Sequence, residues 1–334
     1  MNKPTPILDN HGRPMNYLRL AVTDRCNLRC FYCMPEEGIK YLPKQALLTY
    51  EEMLRIASIL AGMGVNKIRL TGGEPFVRTD LMGFIDRLNQ IEGIDNIHIT
   101  TNGVLTHKYI PDFKSVGIKS VNLSLDTFDK ERFYKITRRD EFDKVIGSFH
   151  MLLDNGIKTK INAVVMEGQN IEDIIPLVKL SQKYPIDVRF IEEMPFNGEG
   201  MHYPKLIWNH QRIIDHIKTQ FPDLERLTDP ENSTSYGYKV PGAVGQFGII
   251  AAFSRTFCGS CNRIRLTAQG QLKTCLYDDG VLDIKALLRS GATDEEIRTA
   301  FLRAFNSRAK DGFEAENRRQ LNPEVSESMS TIGG

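Results

Sequence analysis

The sequence predicts an α/β protein built on a sheet of parallel strands. Strand-like and helix-like segments alternate six times up to about residue 193. Each strand-like segment also alternates polar and apolar residues, and no long linker or low-complexity stretch interrupts the series. Because parallel neighbours need crossover connections, such repeats form either an open, doubly wound sheet or a barrel-like one.

The predicted elements follow one another at regular intervals. Strands are predicted at residues 17–23, 65–71, 96–100, 119–125, 158–165 and 187–192. The first helix opens at a capping box formed by Thr49 and Glu52, and Thr79-Asp80 opens the next. Further helices are predicted at residues 142–155 and 171–183, and a hairpin at residues 263–267 and 271–276.

The predicted strands share one polar face. Side chains alternate between the two faces of a strand, so Arg19 opposes Leu18 and Leu20. The corresponding polar positions of the other strands are Arg69, Thr71, His98, Thr100, Asn122, Ser124, Lys158, Lys160, Asn162 and Arg189. A parallel sheet covered on both faces would instead be almost continuously apolar. We therefore expect helices on the apolar face and, on the polar face, a wet cavity that suits a polyanionic small molecule.

The cysteines form two separated triplets. Cys26, Cys30 and Cys33 follow the first strand in C-x3-C-x2-C spacing, and Cys258, Cys261 and Cys275 have C-x2-C-x13-C spacing. Structural zinc sites and four-iron clusters normally have four protein ligands, so each triplet leaves one coordination position open. Zinc with a distant histidine as fourth ligand is the alternative, and the candidates are His11, His98 and His202.

Composition limits the class of protein. The chain has 334 residues, of which 41% are apolar and 25% charged, and its net charge is +1. Such a small net charge gives no general attraction to nucleic acid or membranes. The N-terminus has no signal-peptide core and no apolar run approaches the ~20 residues of a membrane span. We therefore expect reduced thiols and a cytoplasmic location.

A glycine pair follows the second strand. Gly72-Gly73-Glu74-Pro75 is expected at the same end of the sheet as the first triplet, where active sites of βα folds lie. Glycine permits close approach of another group to the backbone, so we expect a ligand there.

These motifs resemble those of known enzymes. The first triplet, with Tyr32 inside it and Gly72–Pro75 after the second strand, resembles the radical S-adenosylmethionine superfamily. Other stretches are similar to the GTP 3′,8-cyclase family, also called molybdenum cofactor biosynthesis protein A. They are residues 19–26, 100–103, 122–126, 189–192, 257–265 and the terminal Ile332-Gly333-Gly334.

The resemblance implies a lyase with two 4Fe–4S clusters, one on each triplet. The first cluster would bind S-adenosylmethionine, whose reductive cleavage supplies a 5′-deoxyadenosyl radical. The radical would remove the ribose 3′ hydrogen of GTP, and the carbon radical would attack C8 of guanine. The product, (8S)-3′,8-cyclo-7,8-dihydroguanosine 5′-triphosphate, begins molybdenum cofactor biosynthesis, and the second cluster would contact the guanine base.

The resemblance also implies roles for individual residues. The adenosylmethionine contacts would be Tyr32, Gly73, Ser124 and Met194. The GTP contacts would be Arg19, Arg69, Thr100, Lys160, Arg263 and Arg265. Catalytic roles fall on Arg19, Arg263, Arg265, Gly333 and Gly334. On spacing alone, Arg263 and Arg265 could be exposed residues of a hairpin, and Lys160 could be purely structural.

The implied fold is an incomplete (β/α)6 TIM-like barrel with a C-terminal α+β segment that carries the second cluster. The barrel would occupy residues 1–195, and residues 196–334 would close its open side and end in the Gly-Gly tail. The family further implies a homodimer, an external electron donor, and a downstream synthase that forms cyclic pyranopterin monophosphate. The alternatives are another radical enzyme with an auxiliary cluster, acting on a different substrate, and a non-enzymatic metal-binding or redox-sensing protein.

Overall fold

One sheet runs through the whole protein. The structure is a computed structural model that describes residues 4–194, 206–319 and 328–332. Its strands are β1 Tyr17–Ala21, β2 Lys67–Thr71, β3 Asn96–Thr101, β4 Ile118–Ser124, β5 Lys158–Val165, β6 Asp187–Glu192, β7 Glu225–Arg226, β8 Ser235–Lys239, β9 Gln246–Ile250, β10 Arg263–Leu266, β11 Gln271–Lys273 and β12 Leu282–Asp283.

Helices connect the strands. The α-helices are α1 Tyr50–Gly62, α2 Leu81–Asn89, α3 Lys130–Thr137, α4 Phe142–Asp154, α5 Ile174–Lys183, α6 His210–Lys218, α7 Ile284–Arg289, α8 Asp294–Asn306, α9 Gly312–Arg319 and α10 Met329–Ile332. Short 3₁₀ helices occur at Lys44–Ala46, Pro75–Val77, Thr106–Lys108, Ile110–Asp112, Ile171–Asp173 and Cys258–Ser260. None of the helices in these ranges is both long and apolar enough to span a membrane.

Strands β1 to β6 are parallel and lie in sequence order, as the βα repeats predict. The chain then extends both edges of this sheet. β9 adds to β6 and β10 adds to β1, each in parallel, and antiparallel strands follow outside them. The α/β class with a partial barrel is therefore confirmed, and the C-terminal region takes part in the sheet at both of its edges. The division at residue 195 stays a prediction.

The local predictions differ in their outcome. The capping box is confirmed, because Thr49 Oγ1 accepts from the Glu52 amide at 3.1 Å and Glu52 Oε2 accepts from the Thr49 amide at 2.7 Å. Asp80 does precede α2, but its φ is 57° and its side chain makes no capping hydrogen bond. The helix predicted from residue 171 has a 3₁₀ turn first and becomes α-helical at Ile174. The C-terminal hairpin is confirmed as β10 and β11.

The two faces of the sheet have the expected character. Apolar side chains such as Leu18, Leu20 and Ile68 are completely buried under the helices. Helix α1 buries Met53 and Ile56 against them, among others. The opposite face of β1 to β6 carries the polar side chains and borders the cavity described next.

Candidate active site

A cavity of about 650 Å³ lies on the polar face of the sheet. It is lined by every described residue for which the family resemblance implies a role: Arg19, Cys26, Cys30, Tyr32, Cys33, Arg69, Gly73, Thr100, Ser124, Lys160, Met194, Cys258, Cys261, Arg263, Arg265 and Cys275. Gly333 and Gly334 lie outside the described residues. Residues that are far apart in sequence therefore share one chamber.

The first triplet occupies the loop after β1. The amide of Cys33 donates to the carbonyl of Cys30 at 2.9 Å, and the Leu28 amide donates to Cys26 Sγ at 3.5 Å. Burial raises the pKa of Cys26 to about 12 and that of Cys33 to about 11. Metal ligation requires the thiolate form, so binding of a cluster at this triplet would release protons.

The glycine pair holds the cysteine loop in place. A Cβ atom on Gly72 would lie 2.3 Å from the Thr23 carbonyl oxygen, and one on Gly73 would lie 2.2 Å from that of Arg25. The Gly73 amide donates to the Thr23 carbonyl at 2.9 Å. The backbone of Thr23 and Arg25, which leads to Cys26, therefore packs directly against these glycines. The close approach expected for a ligand is thus made at least in part by the protein's own backbone.

Replacing Gly73 by alanine should therefore displace the first triplet. We expect Gly73→Ala to lose most of the iron bound at that site, because the new methyl group collides with backbone that cannot rotate away. Anaerobic iron analysis after cluster reconstitution measures this. Gly147→Ala in α4 is the matched control, since its Cβ meets no atom within 4 Å. Iron content unchanged in Gly73→Ala would contradict the role of this contact.

Two buried carboxylates support the first triplet. Glu74 Oε2 accepts from the Asn102 amide at 2.7 Å, and the Asn102 side chain donates to Cys26 Sγ at 3.7 Å. Asp126 accepts from the Tyr32 hydroxyl at 2.8 Å. Burial raises the pKa of Glu74 to about 7 and that of Asp126 to about 6. Sequence reasoning missed the contacts of Asn102 and Asp126, although both belong to stretches that carry the family resemblance.

The second triplet lies beside β10. Arg263 Nη1 donates to Cys261 Sγ at 3.8 Å, and the Cys275 amide donates to Asp278 Oδ2 at 2.8 Å. Burial raises the pKa of Cys275 to about 12. For Cys261, burial also raises the pKa, but the positive charges of Arg263 and Arg308 outweigh it and lower the pKa to about 7.

A row of cations crosses the sheet between the two triplets. Arg265 of β10 pairs in register with Arg19 of β1, which pairs with Arg69 of β2. Like charges on neighbouring strands repel each other, so this row favours a bound anion. Arg263 and Arg265 line the cavity rather than an exposed hairpin surface.

Two further residues join this row. The Arg69 Nε donates to the Tyr17 hydroxyl at 2.7 Å, and Lys67 Nζ lies 4.5 Å from the centre of the Tyr17 ring. Burial raises the pKa of Tyr17, but the neighbouring cations, Arg69 first, lower it to about 7. Tyr17 and Lys67 belong to none of the sequence motifs, yet the period of two places them on the same face as Arg19 and Arg69.

A second group of cations lies on β5 and β6. Lys160 Nζ and Arg189 Nη2 contact Asp187 Oδ2 at 2.7 and 3.0 Å. Burial and the Arg189 charge lower the pKa of Lys160 to about 8. Asp187 thus gives Lys160 a structural partner. Lys160 also lines the cavity, where it could contact a substrate.

Several cavity atoms have no hydrogen-bond partner among the described residues. They are Thr71 Oγ1, Thr100 Oγ1, Asn122 Oδ1 and Asn162 Oδ1, all of which are buried. Buried polar atoms are normally hydrogen-bonded, so a polar ligand in the cavity would satisfy them.

The donor chemistry of both triplets fits an iron–sulfur cluster. All six thiols are free, and thiolates are the usual ligands of such clusters. Among the described residues, no group of three or more His, Cys, Asp or Glu side chains is arranged to hold a single metal ion. Of the histidines considered for zinc, His98 Nδ1 is 2.8 Å from Ser120 Oγ, His11 Nε2 is 3.1 Å from the Arg308 carbonyl, and His202 lies outside the described residues.

Comparison with known proteins agrees with this site. The family model described as "Radical SAM superfamily" matches residues 20–181, and "Molybdenum Cofactor Synthesis C" matches residues 186–313. A GTP 3′,8-cyclase of Syntrophomonas wolfei is 40% identical over 94% of this chain and 98% of its own length. The chain belongs to the GTP 3′,8-cyclase family. A mitochondrial GTP 3′,8-cyclase of Arabidopsis thaliana is also 40% identical, over 87% of this chain and 75% of its own length.

Some relatives of the cyclase family are longer. Molybdenum cofactor biosynthesis protein 1 of Bos taurus is 43% identical over 87% of this chain, which covers 46% of that protein. The chain thus spans about half the length of this animal relative.

Among solved structures, Streptococcus suis SuiB bound to its precursor peptide SuiA has a TM-score of 0.61 at 16% identity, covering 87% of this chain and 68% of SuiB. That likeness shows the shared fold. Membership of the radical superfamily supports an iron–sulfur cluster and S-adenosylmethionine as cofactors.

Proposed function

We propose that this member of the cyclase family is itself a GTP 3′,8-cyclase, a lyase that performs the first step of molybdenum cofactor biosynthesis. One observation carries the proposal: both open thiol triplets and a row of arginines line the same cavity. A cavity of about 650 Å³ is in the range that binds small molecules. Its excess of cations suits a triphosphate.

The first triplet, by this proposal, holds the cluster that binds S-adenosylmethionine. When the cluster and S-adenosylmethionine are bound, their reduction supplies a carbon-centred radical. Tyr32, Gly73, Ser124 and Met194 also line the cavity and would orient the sulfonium ligand. The Tyr32 hydroxyl is itself fixed by Asp126, so its position is set before a ligand arrives.

The second triplet would hold a further 4Fe–4S cluster and the guanine of GTP. Arg263 is directed at Cys261 Sγ, while Arg265, Arg19 and Arg69 continue the cationic row across three strands. Guanidinium groups match phosphate oxygens in geometry and keep their charge at neutral pH. These side chains would therefore bind and orient GTP with its ribose towards the first site, with Thr100 and Lys160 as further contacts.

The direct test uses anaerobic protein. After reconstitution, iron and sulfide are counted, and the protein is incubated with reductant, S-adenosylmethionine and GTP before product analysis by mass spectrometry. We expect about eight irons per chain, 5′-deoxyadenosine, and an isomer of GTP. Deoxyadenosine with unchanged GTP would mean a different substrate. Zinc at the second triplet, or no deoxyadenosine, would overturn the mechanism.

The titration of Lys160 gives a pH dependence. Because its pKa is lowered to about 8, its positive charge is lost as the pH rises through that value. We expect kcat/KM for GTP to fall by about tenfold between about pH 7 and about pH 9, since kcat/KM follows the free enzyme. Lys160→Arg should remove this fall, because arginine stays protonated.

A control separates the titration of Lys160 from that of Tyr17. Tyr17→Phe removes the phenol that also titrates in this range, and it should retain the fall near pH 8. A Lys160→Arg variant with the wild-type pH profile would show that another group is responsible.

The remaining assignments complete the proposal. The enzyme would act as a homodimer, receive electrons from an external donor, and pass its product to the synthase that forms cyclic pyranopterin monophosphate. Six free thiols support a reducing, cytoplasmic environment. Residues 1–195 would form the adenosylmethionine region and residues 196–334 the region of the second cluster.

A further inference from the structure

A turn near the N-terminus lies against the C-terminal region, and one buried carboxylate anchors it. An isolated bridge pairs Leu8 with Pro14, and the Asp9 side chain between them is completely buried. Asp9 Oδ2 accepts from Arg13 Nε at 2.7 Å and from Arg308 Nη1 at 3.1 Å. Its other oxygen accepts from the amides of His11 and Arg13 at 2.8 and 2.9 Å.

Arg308 donates to the backbone next to two ligands of the second triplet. Its Nη1 lies 2.8 Å from the Cys261 carbonyl, and its Nε lies 2.8 Å from the carbonyl of Thr274, the residue before Cys275. Its Nη2 donates to the carbonyl of Arg263 at 3.1 Å. One side chain therefore fixes two separate cysteine-bearing segments.

Arg13 completes the set. Its Nη1 donates to the carbonyl of Cys258 at 3.1 Å and to that of Lys310 at 2.7 Å, while Nη2 donates to the Ala309 carbonyl at 2.8 Å. The segments of all three cysteines are thus tied to two guanidinium groups that share one carboxylate. We call Asp9, Arg13 and Arg308 the Asp9 clasp.

The clasp is built for positioning. Every guanidinium nitrogen of Arg13 and Arg308 has a protein acceptor, so neither side chain has a nitrogen left without a partner in the protein. All three residues are buried, and breaking a buried charge network is strongly unfavourable. The loop before Cys261 has one short 3₁₀ turn, in which the Cys258 carbonyl also accepts from the Cys261 amide at 3.2 Å, and Arg13 adds a side-chain donor to it.

We propose that the Asp9 clasp preorganises the second cysteine triplet for its cluster. This inference rests on the proposed function, because it assumes that the second triplet binds a cluster. A site held in place before metal arrives is assembled more readily and has one geometry. Arg13 and Arg308 also border the cavity, and they hold the cysteine segments through hydrogen bonds to backbone carbonyls.

The test isolates the second site. In a full-length chain with Cys26, Cys30 and Cys33 changed to alanine, only the second triplet can bind a cluster, and about four irons are expected. Asp9→Asn in this background keeps the shape of the side chain but removes its negative charge and one of its two acceptor oxygens, so it can no longer accept from both the arginines and the amides of His11 and Arg13. We expect iron at this site to fall at least twofold and the remaining reduced cluster to have shifted electron paramagnetic resonance g values.

Controls separate positioning from stability. Glu52→Gln, in the same background, breaks the ion pair of Glu52 with Arg289 on the outer helices and should leave iron and g values unchanged. Arg13→Lys keeps a positive charge near Asp9 but loses the fork that reaches Cys258 and Ala309, so it provides a second variant if Asp9→Asn unfolds. We expect it to reproduce the change in g values in protein that circular dichroism shows to be folded.

The outcomes are distinguishable. Folded Asp9→Asn and Arg13→Lys proteins with about four irons and parental g values would overturn the clasp while leaving the second cluster intact. If the parental background with an unaltered clasp binds no iron–sulfur cluster, the proposed second cluster itself is wrong, and the inference falls with it.

Discussion

Changing both Arg263 and Arg265 to alanine is expected to lower kcat/KM for GTP by at least about a thousandfold. Both side chains lie on β10 at the edge of the cavity, and Arg265 is in register with Arg19. Removing them takes away the charges that orient the substrate at the second triplet. The first triplet lies in the loop after β1, away from β10 in the sequence, so reductive cleavage of S-adenosylmethionine should continue and become uncoupled from GTP.

The measurement compares two products in one reaction. Deoxyadenosine and cyclised nucleotide are quantified together, and GTP binding is measured separately by calorimetry. The double variant Arg298→Ala with Arg303→Ala, which removes two exposed cations of α8, is the matched control and should behave as wild type. Undiminished GTP binding in the β10 variant would refute the substrate role of Arg263 and Arg265.

Changing Cys30 to alanine should have a larger effect, because the first triplet supplies the reactive species. The variant has two thiols at that site, which are too few to hold a cluster with one open iron. We expect both deoxyadenosine and cyclised GTP to fall to background, a loss of at least about a millionfold. Iron should decrease to about four per chain, the share of the second site.

The complementary variant gives the contrast. Cys275→Ala should also lose about half of the iron and all cyclisation, yet it should continue to form deoxyadenosine. A protein that still cyclises GTP without Cys275 would rule out the second triplet as the substrate site. The two variants thus assign S-adenosylmethionine cleavage to the first triplet and GTP cyclisation to the second.

Much of the site follows from short-range regularities in the sequence. The period of two places Arg19, Arg69 and Thr100 on one face, and consecutive parallel strands bring that face together. The glycine pair was correctly placed at the first triplet, but the sequence could not show that the Thr23 and Arg25 carbonyls press against it. That contact depends on how two loops meet in space.

Long-range pairing could not be predicted in the same way. Arg19 and Arg265 are neighbours although about 250 residues separate them, and no periodicity links β10 to β1. Asp9 resembles any acidic turn residue in sequence, because its partner Arg308 lies at the other end of the chain. Asp80 adopted a left-handed conformation where an ordinary helix cap was expected, since local propensity yields to the surrounding fold.

The C-terminal strands lie at both edges of the sheet, and this has a consequence for the nascent chain. When β6 has left the ribosome, β1 and β6 both still lack their outer partners, because β10 and β9 are synthesised later. Unpaired parallel edges are templates for association with other chains. The nascent N-terminal half therefore has at least one unpaired sheet edge until about residue 266 has emerged, and a chain cut after β6 would leave the outer edges of β1 and β6 unpaired.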